Sequence, residues 1–296
     1  MATAQRLRRP GLRLPVKVIC CGNATAGGTG KTIVALAIAD ILLAAGHRPA
    51  FISRGYGGKL RGPLQIDRHQ HSAHDVGDEP LLLAAKAPCF IGRDRAAAAR
   101  LAISHSSRFT HLILDDGLQN PALIKDISLL LIDGGVGFGN GHMIPAGPLR
   151  EPVAAAVARV QAAMIIGADQ THARAQLPPG LPVLQASLHP NMADLRNTRV
   201  VGFAGIGRPE KFRASLIEAG AELVDFAGFA DHHFYTDADI TQLRATAIRL
   251  NARLFTTRKD FVRLPPAWRT GIDTMDIALL MDPAESLQTL LCCTAT

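Results

Sequence analysis

The run Gly27-Gly28-Thr29-Gly30-Lys31-Thr32 stands directly behind the apolar stretch Val16-Lys17-Val18-Ile19-Cys20-Cys21. The apolar stretch reads as a buried strand, the glycines as a tight turn, and Ile33 to Ala45 as an apolar helix. Strand, turn and helix in that order aim backbone N–H groups at one point. The helix N-terminus adds partial positive charge there. Lys31 supplies a full charge suited to β/γ-phosphates, and the Thr32 hydroxyl is placed to ligate Mg²⁺. The ligand that fits is a nucleoside triphosphate. Gly27, Gly28, Thr29, Gly30, Lys31 and Thr32 are the expected nucleotide-binding residues. The usual pattern wants a glycine where this chain has Thr25, and the nearest earlier glycine is Gly22.

The rest of the chain supports an α/β fold. Apolar runs at 16–21, 49–53, 111–115, 128–132, 163–167 and 182–186 read as strands. Helical patterns fall at 31–45, 79–87 and 94–104. This alternation predicts a mostly parallel, P-loop NTPase-like sheet flanked by helices, with ligands beyond the carboxyl ends of the strands. The composition agrees, being 48% hydrophobic, 19% charged and only 5% aromatic, so aliphatic side chains must fill the core. A second, smaller α/β unit is expected from Asn197 onward. It has a strand at 199–205, a helix opening at Pro209 and Glu210, a strand at 222–226, a helix at 237–250 and a strand at 252–256. The predicted organisation is a nucleotide-binding core over 1–196 and a C-terminal domain over 197–296 that contributes to the cleft. The Pro-rich, polar stretch 168–198 marks the boundary least well.

Several function classes are disfavoured. The five cysteines are an odd number with no C-x-x-C pair, which fits a reducing cytoplasm. No window reaches the ~18 continuous apolar residues of a membrane span. The net charge is +7, but the aromatic-interleaved basic patches of a nucleic-acid binder are missing. Arg6, Arg8, Arg9, Arg13 and Lys17 form a basic arm free of acids. It suits either an anionic membrane surface or a frayed terminus. A deviant-Walker ATPase switch would want a lysine where Ala26 stands. A GTP switch would need an Asn-Lys-x-Asp motif. A kinase or synthetase for another small metabolite remains the nearest alternative.

Other clusters carry chemistry. His111-Leu112-Ile113-Leu114-Asp115-Asp116-Gly117 is an apolar strand ending in two acids, the place where such folds hold Mg²⁺. Two adjacent carboxylates repel, so a cation is expected beside them. Asp78, in Val76-Gly77-Asp78-Glu79-Pro80, can cap the helix behind it or face the phosphates as a base or metal-shell carboxylate. Asp231-His232-His233 follows a predicted strand in the second unit. His69, His71 and His74 have a metal-like spacing but no cysteine support.

Together these stretches resemble the tetraacyldisaccharide 4'-kinases, the lipid A 4'-kinases of Gram-negative bacteria, over roughly residues 16–264. The resemblance also rests on Ser53-Arg54-Gly55-Tyr56-Gly57-Gly58, Asp115-Asp116-Gly117-Leu118-Gln119, Gly137-Phe138-Gly139-Asn140-Gly141, Pro145 through Pro152, Phe203-Ala204-Gly205-Ile206-Gly207 and Thr256-Thr257-Arg258-Lys259-Asp260. It implies transfer of the γ-phosphoryl of ATP, with Mg²⁺, to the 4'-hydroxyl of an acylated disaccharide 1-phosphate. It implies that Lys31 acts on the phosphates, that Thr32 with Asp115, Asp116 and Glu151 holds the metal, and that Asp78 accepts the hydroxyl proton beside His232 or His233, with His232 preferred. It further implies a monomer held peripherally at the cytoplasmic face of the inner membrane. The chain departs from the family pattern at Ile33, Leu118, Asn120 and Arg258.

Overall fold

The computed structural model describes residues 11–106, 108–191, 195–282 and 285–292. The basic residues Arg6, Arg8 and Arg9 lie outside that range.

β1 (Lys17–Gly22) is an almost wholly buried strand. It runs parallel between β5 (His111–Asp115) and β6 (Ile127–Asp133). Outward from β5 follow β2 (Pro49–Ser53), β4 (Cys89–Ile91) and the short antiparallel β3 (Leu64–Gln65). Outward from β6 follow β7 (Ala162–Ile166) and β8 (Val183–Asn191). Continuous burial along β2, β5, β6 and β7 is what a parallel sheet covered on both faces demands.

The period of two along β1 divides its side chains between two cores. Ile19 and Cys21 pack with Val34, Ile38 and Leu42 of α1 (Lys31–Ala44). Val18 and Cys20 pack on the other face with Ala98, Ala99 and Ala102 of α4 (Arg95–His105). Between them in sequence lie α2 (Ala73–Val76) and α3 (Asp78–Ala84). Asp94 caps α4, its carboxylate accepting from the Ala96 and Ala97 amides at 2.8 and 3.1 Å. Cys20, Cys21 and Cys89 are buried free thiols, and burial pushes Cys20 up to about 11, which keeps it inert.

After α5 (Val153–Val157), β7 and β8 the chain enters the second unit. There β9 (Arg199–Ala204) lies between β10 (Glu222–Gly228) and β11 (Arg253–Thr257), all parallel. α6 (Pro209–Glu218) buries Phe212 and Leu216 against one face, and α7 (Asp237–Arg249) buries Ile240 and Leu243 against the other. α8 (Arg258–Arg263) opens directly from β11.

Several elements were not foreseen, among them the buried β4, the short β3, α5, α8 and α9 (Glu285–Cys292); the one that changes the architecture is β12 (Ile272–Asp282). Its first half pairs parallel to β11, and its second half pairs antiparallel to β8. One strand thereby joins both units into a mixed twelve-stranded sheet. The strand expected at 182–186 runs on to Asn191 for the same reason, because its later residues find their partners in β12. α9 then returns Leu287 and Leu291 to the core beneath α1. β12 escaped the sequence reading because Asp273 and Asp276 interrupt its apolar pattern. The expected 196/197 boundary falls between β8 and β9, and β12 crosses back over it.

Among the described residues no helix is long and apolar enough to cross a membrane. The architecture is a mostly parallel sheet flanked by helices.

Candidate active site

The glycine turn does what its sequence requires. Gly30 takes φ 80°, a conformation glycine reaches without steric cost, and stands at the N-cap of α1. Asn23 is fully buried and donates from Nδ2 to Thr29 Oγ1 at 3.1 Å, pinning the loop from beneath. Lys31 Nζ donates to the Gly27 carbonyl at 3.4 Å and lies 3.8 Å from Asp116 Oδ2. The loop Gly134 to Glu151 flanks this turn, with the Ala26 amide donating to Pro148 O at 2.8 Å.

At the tip of β5, Asp115 accepts from Thr32 Oγ1 through Oδ2 at 3.2 Å. Its Oδ1 is buried with no hydrogen-bond partner. Burial, together with the charges of Glu79 and Asp116, raises this carboxyl to about 7 against the pull of Lys31 and Thr32. An orphaned carboxylate oxygen beside a hydroxyl, both hard donors, suits Mg²⁺. No group of three or more His, Cys, Asp or Glu close enough to cage a metal exists among the described residues.

The other two expected metal ligands stand differently. Asp116 has φ 55°. Its carboxylate receives both bonds from Arg150 Nη1, at 2.8 and 2.9 Å. The cation expected beside the paired acids is therefore Arg150 with Lys31. Glu151 is buried and bound by Arg159 Nη2 at 2.6 and 2.7 Å, and it also accepts from Gln119 Nε2 at 2.8 Å. Both of its oxygens are engaged by protein donors, so in this arrangement Glu151 acts as a strut and not as an open metal ligand. The histidines at 69, 71 and 74 form no metal cluster. His71 Nδ1 instead accepts from the Asp67 amide at 3.0 Å.

Asp78 does not cap its helix. Gly77 is the N-cap, at φ 89° and ψ 160°, and a Cβ there would lie 2.2 Å from Tyr56 O. Only glycine makes that turn. Asp78 is the first helical residue and is 4% exposed. Its Oδ1 accepts from the Glu79 amide at 2.9 Å. Its Oδ2 faces the second unit, with Arg263 Nε at 2.9 Å, His232 Nδ1 at 3.2 Å and Lys259 Nζ at 3.9 Å. Burial pushes the Asp78 carboxyl up. The His232 hydrogen bond and the Lys259 and Arg263 charges outweigh burial and hold it well below the usual carboxylate range.

His232 lies in the loop after β10 at φ 58°, a left-handed conformation that costs a non-glycine residue about 1–3 kcal/mol. Its amide donates to Gly205 O at 3.1 Å. The Asp78 hydrogen bond raises its pKa, against burial. His233 turns away, stacked on Phe229 with Nε2 3.1 Å from Asp239 Oδ2. Of the two histidines, His232 is the one that meets Asp78.

Two members of this cluster were given no role by the sequence. Lys259 donates to Glu79 Oε1 at 3.0 Å. Burial lowers its pKa, but the Glu79 and Asp78 charges raise it more. Arg263 has a 1% exposed side chain. A usable signal was present: Thr257 and Asp260 have capping-box spacing, and Pro265-Pro266 stops the helix. A one-turn helix then puts Lys259 and Arg263, four apart, on one face. The Thr257 hydroxyl does accept from the Asp260 amide, at 3.0 Å.

Residues 1–292 match the family model of LpxK, tetraacyldisaccharide-1-P 4'-kinase. The chain belongs to that family. A tetraacyldisaccharide 4'-kinase of Gluconacetobacter diazotrophicus is 52% identical over 281 residues, covering 94% of this chain and 85% of that one. The Rhodospirillum rubrum protein of the same name is 48% identical over 290 residues, covering 96% and 87%. The crystal structure of LpxK from Aquifex aeolicus in complex with ATP superposes with a TM-score of 0.80 at 25% identity, covering 99% of this chain and 92% of that one. Against the LpxK pattern, three of the four departures noted in the sequence have structural roles. Leu118 is buried, directly above Gly22. Asn120 accepts from the Ala122 amide at 2.8 Å to close a turn. Arg258 pairs with Asp276, tying α8 to β12.

Proposed function

We propose that this chain transfers the γ-phosphoryl group of ATP to the 4'-hydroxyl of a tetraacyldisaccharide 1-phosphate in lipid A biosynthesis. The observation that carries the reading is the Asp78–His232 hydrogen bond of 3.2 Å, which pairs an acid from the nucleotide-binding unit with a base from the second. The charge of Glu79, next to Asp78, reaches Asp115 at the tip of β5. On this reading the acceptor-activating pair and the phosphate end serve one cleft.

Lys31 and the amides of Gly27 to Thr32 hold the phosphates. Thr32 and Asp115 hold Mg²⁺, which neutralises phosphate charge when bound. Arg150, held by Asp116, stands beside Lys31 to balance the developing charge. Asp78 accepts the hydrogen bond of the sugar hydroxyl and then its proton, with His232 orienting and tuning it. A carboxylate so surrounded by cations is a weak base. Phosphoryl transfer through a loose transition state asks more for orientation of the hydroxyl than for basicity. Asp78 therefore works chiefly by fixing the acceptor in line.

The two units, 1–196 and 197–296, are proposed to close on each other over the substrates, because the pair spans them. Small-angle scattering with an ATP analogue and the acylated acceptor should register compaction, and unchanged dimensions contradict closure. The protein is proposed to act as a monomer, peripherally, at the cytoplasmic face of the inner membrane, with the basic N-terminal arm meeting anionic headgroups. Flotation with anionic liposomes should weaken when residues 1–13 are removed, and equal flotation would remove the arm from the account.

The test of the reaction is transfer of labelled γ-phosphate from ATP and Mg²⁺ to tetraacyldisaccharide 1-phosphate in mixed micelles, with Lys31→Ala as control. A labelled lipid that vanishes in the variant is expected. ATP binding without lipid labelling would redirect the account to another acceptor.

A further inference from the structure

Asp78 Oδ1 is taken by the Glu79 amide of its own helix. Every link to the second unit therefore passes through one atom, Oδ2. The shortest of these links is not to His232 but to Arg263, at 2.9 Å.

Arg263 is held from behind with unusual completeness. Its Nη1 donates to Gly205 O at 2.8 Å and to Asp260 Oδ1 at 3.0 Å. Asp260, fully buried, is itself fixed by Tyr235 Oη at 2.7 Å, Thr257 Oγ1 at 2.5 Å and the Gly205 amide at 2.9 Å. The guanidinium thus gathers the loop after β9, the loop after β10 and α8, and presents Nε to the first unit. Nη2 is buried without a hydrogen-bond partner. A buried charge with one donor unsatisfied is poor economy for stability, since apolar replacements of buried ion pairs are often neutral or better.

We propose that Arg263 is a positioning residue of the reaction: by fastening Asp78 Oδ2 to the second unit, it makes the Asp78–His232 pair exist only when α8 is docked on α3. This rests on the phosphoryl-transfer reading above. His232 alone would be a weak tether, because its side chain is 34% exposed and its backbone is strained. Arg263 supplies a rigid planar fork that lysine cannot reproduce.

The charged groups around Asp78 are Glu79 from its own helix, Lys259 and Arg263 from α8, and His232 from the loop after β10. Asp260 stands behind Arg263, and Asp231 lies 3.9 Å from His232 Nε2. Arg263→Gln removes the nearest cation while Lys259 stays. The Asp78 carboxyl then becomes easier to protonate, and the acid limb of the kcat profile moves to higher pH, by about one unit or more.

The experiment compares Arg263→Gln and Arg263→Lys with wild type and in an Asp78→Asn background. Thermal melting and ATP affinity report folding. Arg263→Gln is expected to lower kcat about tenfold or more, a part of the about 10²–10⁴-fold that a positioned proton acceptor contributes, with KM for ATP little changed. Arg263→Lys, which keeps the charge and loses the fork, should give an acid limb between the two and also serves if the glutamine variant does not fold. In the Asp78→Asn background neither change should lower kcat further. An unmoved acid limb, or an equal loss with and without Asp78, overturns the proposal. If wild type fails to label the lipid, carboxyl ¹³C titration of Asp78 decides independently. Protonation at higher pH in Arg263→Gln upholds the Arg263 hold although the acceptor assignment has failed, and an unchanged titration overturns it.

Discussion

Between Asn23 and Thr32 the glycine turn is shaped by close neighbours: Asn23 bonds Thr29, Lys31 bonds Gly27, and Gly30 caps α1. Its distant partners, Asp115 at Thr32 and Pro148 at Ala26 among them, belong to the first unit. Asp78 instead meets His232 and Arg263, which are 154 and 185 positions away in sequence. The first region takes its shape from β1, α1 and their neighbours within the first unit. The second exists only after β9, β10, β11 and α8 have folded and docked. Nucleotide binding and acceptor activation should therefore separate under mutation.

Asp78→Asn makes the sharpest separation. Turnover should fall by about 10²–10⁴-fold, the usual contribution of a positioned proton acceptor, while ATP binding measured by calorimetry stays within a few-fold. Lys31→Ala should lower turnover by about 10²–10³-fold, the scale of one preorganised charge, and should weaken ATP binding as well. If both variants lost ATP affinity together, the two regions would not be separable.

Gly77→Ala attacks the one local element on which the distant pair depends. The backbone there, at φ 89° and ψ 160°, is essentially closed to other residues, and the Tyr56 carbonyl cannot give way to a methyl group. Denaturant unfolding should show a loss of about 1–3 kcal/mol, and turnover should drop as Asp78 shifts. Full stability with full activity would mean the turn is not required.

The smallest expected effect is on the titration of His232. Its pKa should lie above the ordinary value of about 6.5, by histidine NMR. In Asp78→Asn it should fall, because the lowering by burial and by Lys259 is then opposed by Asp231 alone. The sign for stability follows: a raised folded-state pKa gives stability that is fully present below about pH 6.5 and lost as pH rises through the folded value. A His232 titration indifferent to Asp78 would dissolve the pair.

The same contrast explains what could be read in advance. The turn, the strand ending in Asp115 and Asp116, and the buried strands β1, β2, β6 and β7 are set by local pattern, and they lie within a residue or two of where the sequence places them. The three-residue β4 is too short to show a pattern. β12 was illegible because its two halves belong to different neighbours, and no local period can encode that. Asp115 was legible as a strand-tip acid. The commitment of Asp116 to Arg150 and of Glu151 to Arg159 was not, since charge pairing across loops leaves no spacing signal. Arg263 lies four residues beyond Lys259, just past the Thr256-to-Asp260 motif. Its meaning depended on α3 lying opposite, which only the fold supplies.

The central claim is that Asp78 and His232, from opposite units, act as one pair. Single-turnover transfer of labelled γ-phosphate by Asp78→Asn, His232→Ala and the double variant tests it most directly. The account predicts that the double variant is no slower than Asp78→Asn alone by more than about twofold, as for residues that act as a unit. Losses that multiply, or an Asp78→Asn rate within a few-fold of wild type, would contradict it.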